Sequence, residues 1–226
     1  MNVRVPKLRS TTATILRKMN SMKTIGLVGG VASGKSTVAK MLVELGAGVL
    51  DADRTGHAVI NEEAEVRNAI RKRWGDAVFD ADGNISRPAV ARLVFGDGSK
   101  TDTELQFLQD LLHPRIGRRL QEIGQQMDAD GMPAIVLDAP LLLEAGWKPF
   151  CDIILMIDVP REIRLARAAQ RGWTEQDLDG REAAQVSVDE KRRLADFIIT
   201  NAGSEAELRR SVRQFWSQNI APLRTP

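Results

Sequence analysis

The chain has 226 residues, 43% hydrophobic and 27% charged, with a formal net charge of +2; that balance fits one globular unit with a sizeable core and excludes general disorder. A single cysteine, Cys151, excludes an intramolecular disulfide, and two histidines, His57 and His113, leave no cluster at zinc-ligand spacing. The longest apolar run, residues 133–143, is broken by Asp138 and falls short of the roughly 20 residues that span a bilayer, so a reducing, cytoplasmic setting is expected.

Arg4, Lys7, Arg9, Arg17 and Lys18 precede Met22, and no acidic residue occurs before Glu44. Residues 1–22 read as a disordered or dispensable leader upstream of a start at Met22; a transit peptide and a nucleic-acid arm are the competing readings. Residues 24–28 form an apolar run of strand length, after which Val38, Met41, Leu42 and Leu45 recur at helical spacing until Gly46. Val49 and Leu50 begin a second strand that ends at Asp51-Ala52-Asp53, and a polar helical stretch follows from about 55 to 73.

Residues 79–85 carry dense turn signals, and Ser86 is placed to cap a helix with Pro88 in its first turn. Helices are expected from there to about Met127. Residues 134–137 and 153–157 are continuous apolar runs, the pattern of strands covered on both faces in a parallel sheet. The stretch 162–185 is charged and helical, 197–199 gives a last strand, and Leu208, Val212 and Phe215 mark a closing helix. The alternation predicts a doubly wound α/β fold over 23–226, with a helical insertion at about 55–130 and a helical cap at about 160–195.

Residues 29–36, Gly-Gly-Val-Ala-Ser-Gly-Lys-Ser, match G-x-x-x-x-G-K-[ST]. Glycines there free the backbone to turn successive N–H groups inward onto phosphate, the lysine reaches the β- and γ-phosphates, and the Ser36 hydroxyl ligates magnesium. The strand before the loop and the helix from Lys35 supply the context the motif needs, with the positive end of the helix dipole facing the anion. A plain glycine-rich turn leaves four glycines in nine positions, Gly26 to Gly34, unexplained. The absence of G-x-G-x-x-G disfavours a dinucleotide Rossmann site.

Asp53-Arg54-Thr55-Gly56 also fits the D-x-x-G of a GTPase switch, but Asp53 ends the very next strand after the loop and no N-K-x-D for guanine occurs. An acid at the carboxyl end of a neighbouring strand suits a base that accepts a proton from an acceptor hydroxyl, with Asp53 in that role and Asp51 structural or acting through water and magnesium. The competing reading makes both acids a solvated strand end.

Several motifs together resemble the dephospho-coenzyme A kinase family: G-G-V-A-S-G-K-S-T at 29–37, V-L-D-A-D at 49–53, G-N-I-S-R at 83–87, L-L-H-P at 111–114, P-L-L-L-E at 140–144, and, beyond Q-R and D-E-K at 170–171 and 189–191, A-D-F-I-I-T-N-A-G at 195–203. The resemblance implies a P-loop kinase with a coenzyme-A-binding insertion and a lid over ATP. It implies ATP contacts from Gly29, Gly30, Ala32, Ser33, Gly34, Lys35, Ser36, Thr37, Arg167, Arg171 and Asn201, and an acceptor pocket with Asp53, Arg87 and His113. Lid cations would be Arg167, Arg171 and Lys191, although Arg161, Arg164, Arg167 and Arg171 also fit a solvated helical stripe. Magnesium would sit on Ser36, with Asp138 holding it through water.

ATP and dephospho-coenzyme A are therefore the expected partners, with no nucleic acid, membrane or obligate protein partner. A nucleoside or nucleotide kinase of the same fold, and a non-catalytic or switch-type nucleotide-binding protein, are the alternatives.

Overall fold

The computed structural model describes residues 22–95, 101–139 and 141–221; the expected leader, up to residue 21, lies outside them. Two compact units divide the described residues, the first made of 22–51 and those within 123–221, the second of 52–122.

The first unit is built on five parallel strands: β1 (Lys23–Gly29), β2 (Gly48–Asp51), β3 (Ala134–Asp138), β4 (Ile153–Asp158) and β5 (Phe197–Thr200), in the order β2-β3-β1-β4-β5. β1 is central, with Ile25 opposite Val136 on one side and Ile153 on the other. Its apolar residues are buried on both faces, which is why it reads as a continuous run without alternation. Helix α1 (Lys35–Glu44) and the closing helix α9 (Glu205–Asn219) lay Val38, Leu42, Val212 and Phe215 against one sheet face, within a single apolar cluster that includes Ile25, Leu27 and Leu155. Each such side chain contributes about 1.5–3 kcal/mol by leaving water.

Two aspartates extend the ladder at its amino ends. Asp152 Oδ2 accepts from Thr24 N at 2.9 Å while Asp152 N donates to Thr24 O, and Asp196 repeats the pattern on Ile154 with distances of 2.7 and 2.9 Å. Each carboxylate takes the N–H of a strand's second residue, so these backbone donors are satisfied at the entry to the ladder.

The charged, helical stretch at 162–185 consists of two helices, α6 (Arg161–Ala169) and α7 (Glu175–Ala183), and is followed by α8 (Val188–Leu194). The chain turns at Gly172 with φ +76°, and Thr174 then opens α7 through a reciprocal capping box with Asp177. Such a box satisfies two orphan donors and starts a new helix after the glycine turn.

The second unit is helical: α2 (Ala52–Glu62), α3 (Ala64–Trp74), a 3-10 turn at Asp76–Val78, α4 (Arg87–Phe95) and the larger part of α5 (Thr101–Ala129). The expected helix over 55–73 divides at Glu63, which is extended at φ −83° and ψ 112°. Glu62, Glu63 and Glu65 disfavour the negative end of one helix and favour the positive start of the next, so the break falls between them. In the turn at 79–85, Asp80 Oδ1 accepts from Asp82 N and Asn84 N at 3.1 and 2.8 Å, and Phe79 bridges Ile85. Glu104 on α5 receives Arg73 and the Trp74 indole N–H, the latter at 2.7 Å. No described helix is long and apolar enough to cross a membrane.

Candidate active site

The strand-to-helix loop is a cradle whose carbonyls are held by side chains. β1 ends at Gly29 with φ +153°, where a Cβ would stand 2.5 Å from the Ile157 carbonyl oxygen. Ala32 adopts a left-handed φ of +61° without being glycine, and Gly34 has φ +91° beside Asn201. Strain of this kind in a non-glycine residue persists only where surrounding contacts over-determine it. Helix α1 starts at Lys35 with no side chain capping it, and Thr37 N donates to Gly34 O at 3.0 Å; an uncapped helix start is a place where backbone N–H groups can receive an anion.

Four cationic or amide side chains grip the loop's carbonyls. Lys35 Nζ donates to Gly29 O and Gly30 O, each at 3.2 Å, and Lys191 Nζ donates to Gly29 O at 3.3 Å and to Gln185 Oε1 at 2.6 Å. Arg167 donates to Ser33 O at 3.3 Å and Asn201 O at 2.9 Å, while Asn201 Nδ2 donates to Ser33 O at 2.8 Å. The loop is further closed by Ser33 N, which donates to Gly30 O at 3.2 Å, so its backbone is fixed by contacts on both sides; glycine loops of this kind can present N–H groups to an anion.

Burial first, and then repulsion from Lys191, brings the Lys35 ammonium down to about 8 from its ordinary 10.5, against the opposing pull of Asp138, Glu144 and Glu182. Lys191, 3% exposed, is lowered too, mainly by burial. A phosphate would supply the missing counter-charge for both.

A cavity of about 440 Å³ opens over the loop, lined by residues 31–36 together with Asp138, Arg171, Trp173, Arg181 and Gln185. Ser36 and Thr37 are exposed at the start of α1. Asp138 ends β3 directly opposite Asp51 at the end of β2. Of the four arginines that resemble one stripe, each has a different destination. Arg161 meets Glu175 and Asp179, Arg164 is buried on Glu182, Arg167 grips the loop, and Arg171 is exposed on the cavity rim near Trp173. Glu182, Trp173 and Arg181 carry no spacing signal in the sequence; only the fold brings them to the loop.

Asp53 is the second residue of α2 and is exposed. Within the second unit, Arg87, at the start of α4, lines a largely aliphatic cavity of about 630 Å³ with His57, Ile60, Ile70, Ile85 and Val90. His113 is not in that lining: it lies within α5 just before Pro114, and burial depresses its pKa below 6.5. His57, unassigned from sequence, takes a place there.

A central strand, cradle and helix of this kind, in an all-parallel sheet of this order, place the chain among proteins with the P-loop NTPase fold. The dephospho-CoA kinase family model matches residues 23–207. A dephospho-CoA kinase of Symbiobacterium thermophilum is 39% identical over 196 residues, covering 86% of this chain and 80% of that protein. A solved protein of Thermus thermophilus is 32% identical, with a TM-score of 0.73 over 89% of this chain and all of that one. The solved dephospho-CoA kinase of Campylobacter jejuni, at 22% identity and a TM-score of 0.66, shares the fold over 88% of this chain and 98% of that one. The chain belongs to the dephospho-CoA kinase family and is a kinase.

Proposed function

We propose that the protein transfers the γ-phosphoryl group of ATP to the ribose 3′-hydroxyl of dephospho-coenzyme A, giving coenzyme A and ADP. Family membership supports the substrate pair, and the observation that carries the chemistry is the cradle whose carbonyls are held by Lys35, Lys191, Arg167 and Asn201.

In this reading Gly29, Gly30, Ala32, Ser33, Gly34, Lys35, Ser36 and Thr37 form the site for the ATP phosphates, and the Lys35 ammonium neutralises their β and γ charge. Arg167, Arg171 and Lys191 belong to a lid over about 160–195 that withdraws the reacting phosphate from water, and Asn201 sits toward the adenine end. The Asp53 carboxylate accepts the 3′-hydroxyl proton as the new O–P bond forms and the bond from the γ-phosphorus to the β,γ-bridging oxygen breaks, leaving ADP. The insertion over about 55–130 receives the acceptor, with Arg87 on its phosphate groups, His113 in the pocket wall, and the aliphatic cavity suited to the pantetheine arm.

Ser36 and Asp138 line one cavity and offer hard oxygen donors, the type magnesium takes. The ion would rest on the Ser36 hydroxyl and, through water, on Asp138. When bound it supplies charge neutralisation to the phosphates. A cytoplasmic location accords with the single, half-buried Cys151, whose thiol is pushed up to about 12, chiefly by desolvation.

A coupled assay of ADP release tests the reading across dephospho-coenzyme A, nucleosides and nucleoside monophosphates. Release that depends on dephospho-coenzyme A supports it. Preference for a nucleoside would make the protein a nucleoside kinase, and no release with any acceptor would favour a binding module.

A further inference from the structure

The loop's carbonyls are held by cations, but one of its N–H groups is held by an acid. Val31 N donates to Glu182 Oε1 at 3.1 Å, across 151 residues of sequence. Glu182 lies on α7 with its side chain 20% exposed, and its carboxylate also receives Arg164 and, at 3.7 Å, Arg161. Arg164 is 5% exposed; its Nε donates to Val159 O at 3.2 Å, and its guanidinium lies so close to Gly30 that a Cβ there would stand within 3.0 Å of it.

A buried guanidinium persists only when paired, because an uncompensated charge in the interior is costly. The pair therefore ties α6 and α7 to the Gly30–Val31 arm of the loop. The Val31 side chain is anchored in the same place, in an apolar cluster with Ala168 and Leu178. One arm of the cradle is thus built onto α6 and α7 through both its side chain and its backbone.

We propose that the Arg164–Glu182 pair is a positioning device for nucleotide binding: Glu182 holds the Val31 N–H, and through it the Gly30–Val31 peptide, in the conformation that receives ATP. Neither residue touches the reacting atoms. Arg164 fixes the carboxylate, and the carboxylate fixes the loop. The role is distinct from phosphate contact by lid cations, and it rests on the reading of the loop as an ATP site.

The test is ATP affinity by calorimetry in the full chain, alongside KM for both substrates and thermal melting. Glu182→Ala removes the acceptor and should weaken ATP binding about tenfold, the size of one charge-assisted hydrogen bond, with KM for the acceptor unchanged. Glu182→Gln keeps an acceptor oxygen for Val31 and should cost about threefold or less. Both leave Arg164 unpaired and lower the melting temperature, so the double variant Arg164→Met/Glu182→Leu separates stability from positioning. An apolar pair restores much of the melting temperature but offers Val31 nothing, so ATP binding should stay weak.

Recovery of ATP affinity together with stability in the double variant overturns the proposal, as do wild-type affinities in the single variants. Tighter binding in Glu182→Ala also overturns it, because the carboxylate would then be competing with phosphate. Since calorimetry reads ATP without any acceptor, failure of the assigned transfer reaction would not be mistaken for failure of this pair.

Discussion

Lys35 and Lys191 both donate to the Gly29 carbonyl oxygen, at 3.2 and 3.3 Å, so two ammonium groups meet on one acceptor. Their mutual repulsion adds to burial in bringing Lys35 down to about 8. On the proposed reading of Lys35 as a phosphate ligand, the charge offered to ATP falls as pH passes about 8 in the free protein. ATP affinity measured by calorimetry should be level below pH about 7.5 and fall above pH about 8, approaching tenfold per pH unit, with proton uptake on binding. Lys191→Met removes the second cause and should move the inflection upward. An affinity flat to pH about 10 would contradict the shift. For stability the sign is opposite: the unfolded chain holds the Lys35 proton more tightly, so this group makes folding more favourable as pH rises from about 8 toward 10.5.

Asp53→Asn keeps the size of the side chain and removes its capacity to take a proton. The catalytic rate should fall about 100-fold or more, roughly 3 kcal/mol of barrier, while ATP binding is retained. Stopped-flow or quenched turnover beside calorimetry checks both halves. Near-normal turnover would remove Asp53 from the role of base.

Gly34→Ala meets two obstacles at once. The backbone is at φ +91°, and the new methyl would stand 2.5 Å from Asn201 Nδ2, the group that holds Ser33 O. The substitution should destabilise by about 1–2 kcal/mol and weaken ATP binding more than Gly131→Ala, a control with φ +75° and open space around it. Equal ATP affinity in the two variants would contradict the account of the cradle.

Asp196→Ala removes the acceptor for Ile154 N at the entry to β4. Urea unfolding should report a loss of about 1–2 kcal/mol, and Asp196→Asn, which keeps an acceptor oxygen, a smaller one. Kinetic constants should be little changed in either variant, because the site lies at the opposite, carboxyl ends of the strands.

The sheet was legible because apolar runs such as 134–137 and 153–157 have no polar face and so demand cover on both sides. The cradle was legible because its glycines, lysine and serine occur at a spacing imposed by phosphate geometry. The helix break at Glu63 was not: the apolar spacing of Val59, Val66 and Ile70 runs through it, and helix-end charge decides the boundary. Partners distant in sequence were least legible. Glu182 looks like any surface acid on a charged helix, and only the packing of Val31 against Leu178 brings its carboxylate to the loop. Arg164 likewise belongs to an apparently solvated stripe, yet it is buried.

The most direct test of the central claim is to incubate the protein with ATP and dephospho-coenzyme A, and separately with its 3′-deoxy analogue, and to identify the products by mass and phosphorus NMR. The account predicts one added phosphoryl group, on the ribose 3′-oxygen, and no transfer to the analogue that lacks that hydroxyl. Phosphorylation of the 3′-deoxy analogue, or ATP bound with no transfer to dephospho-coenzyme A, would contradict it.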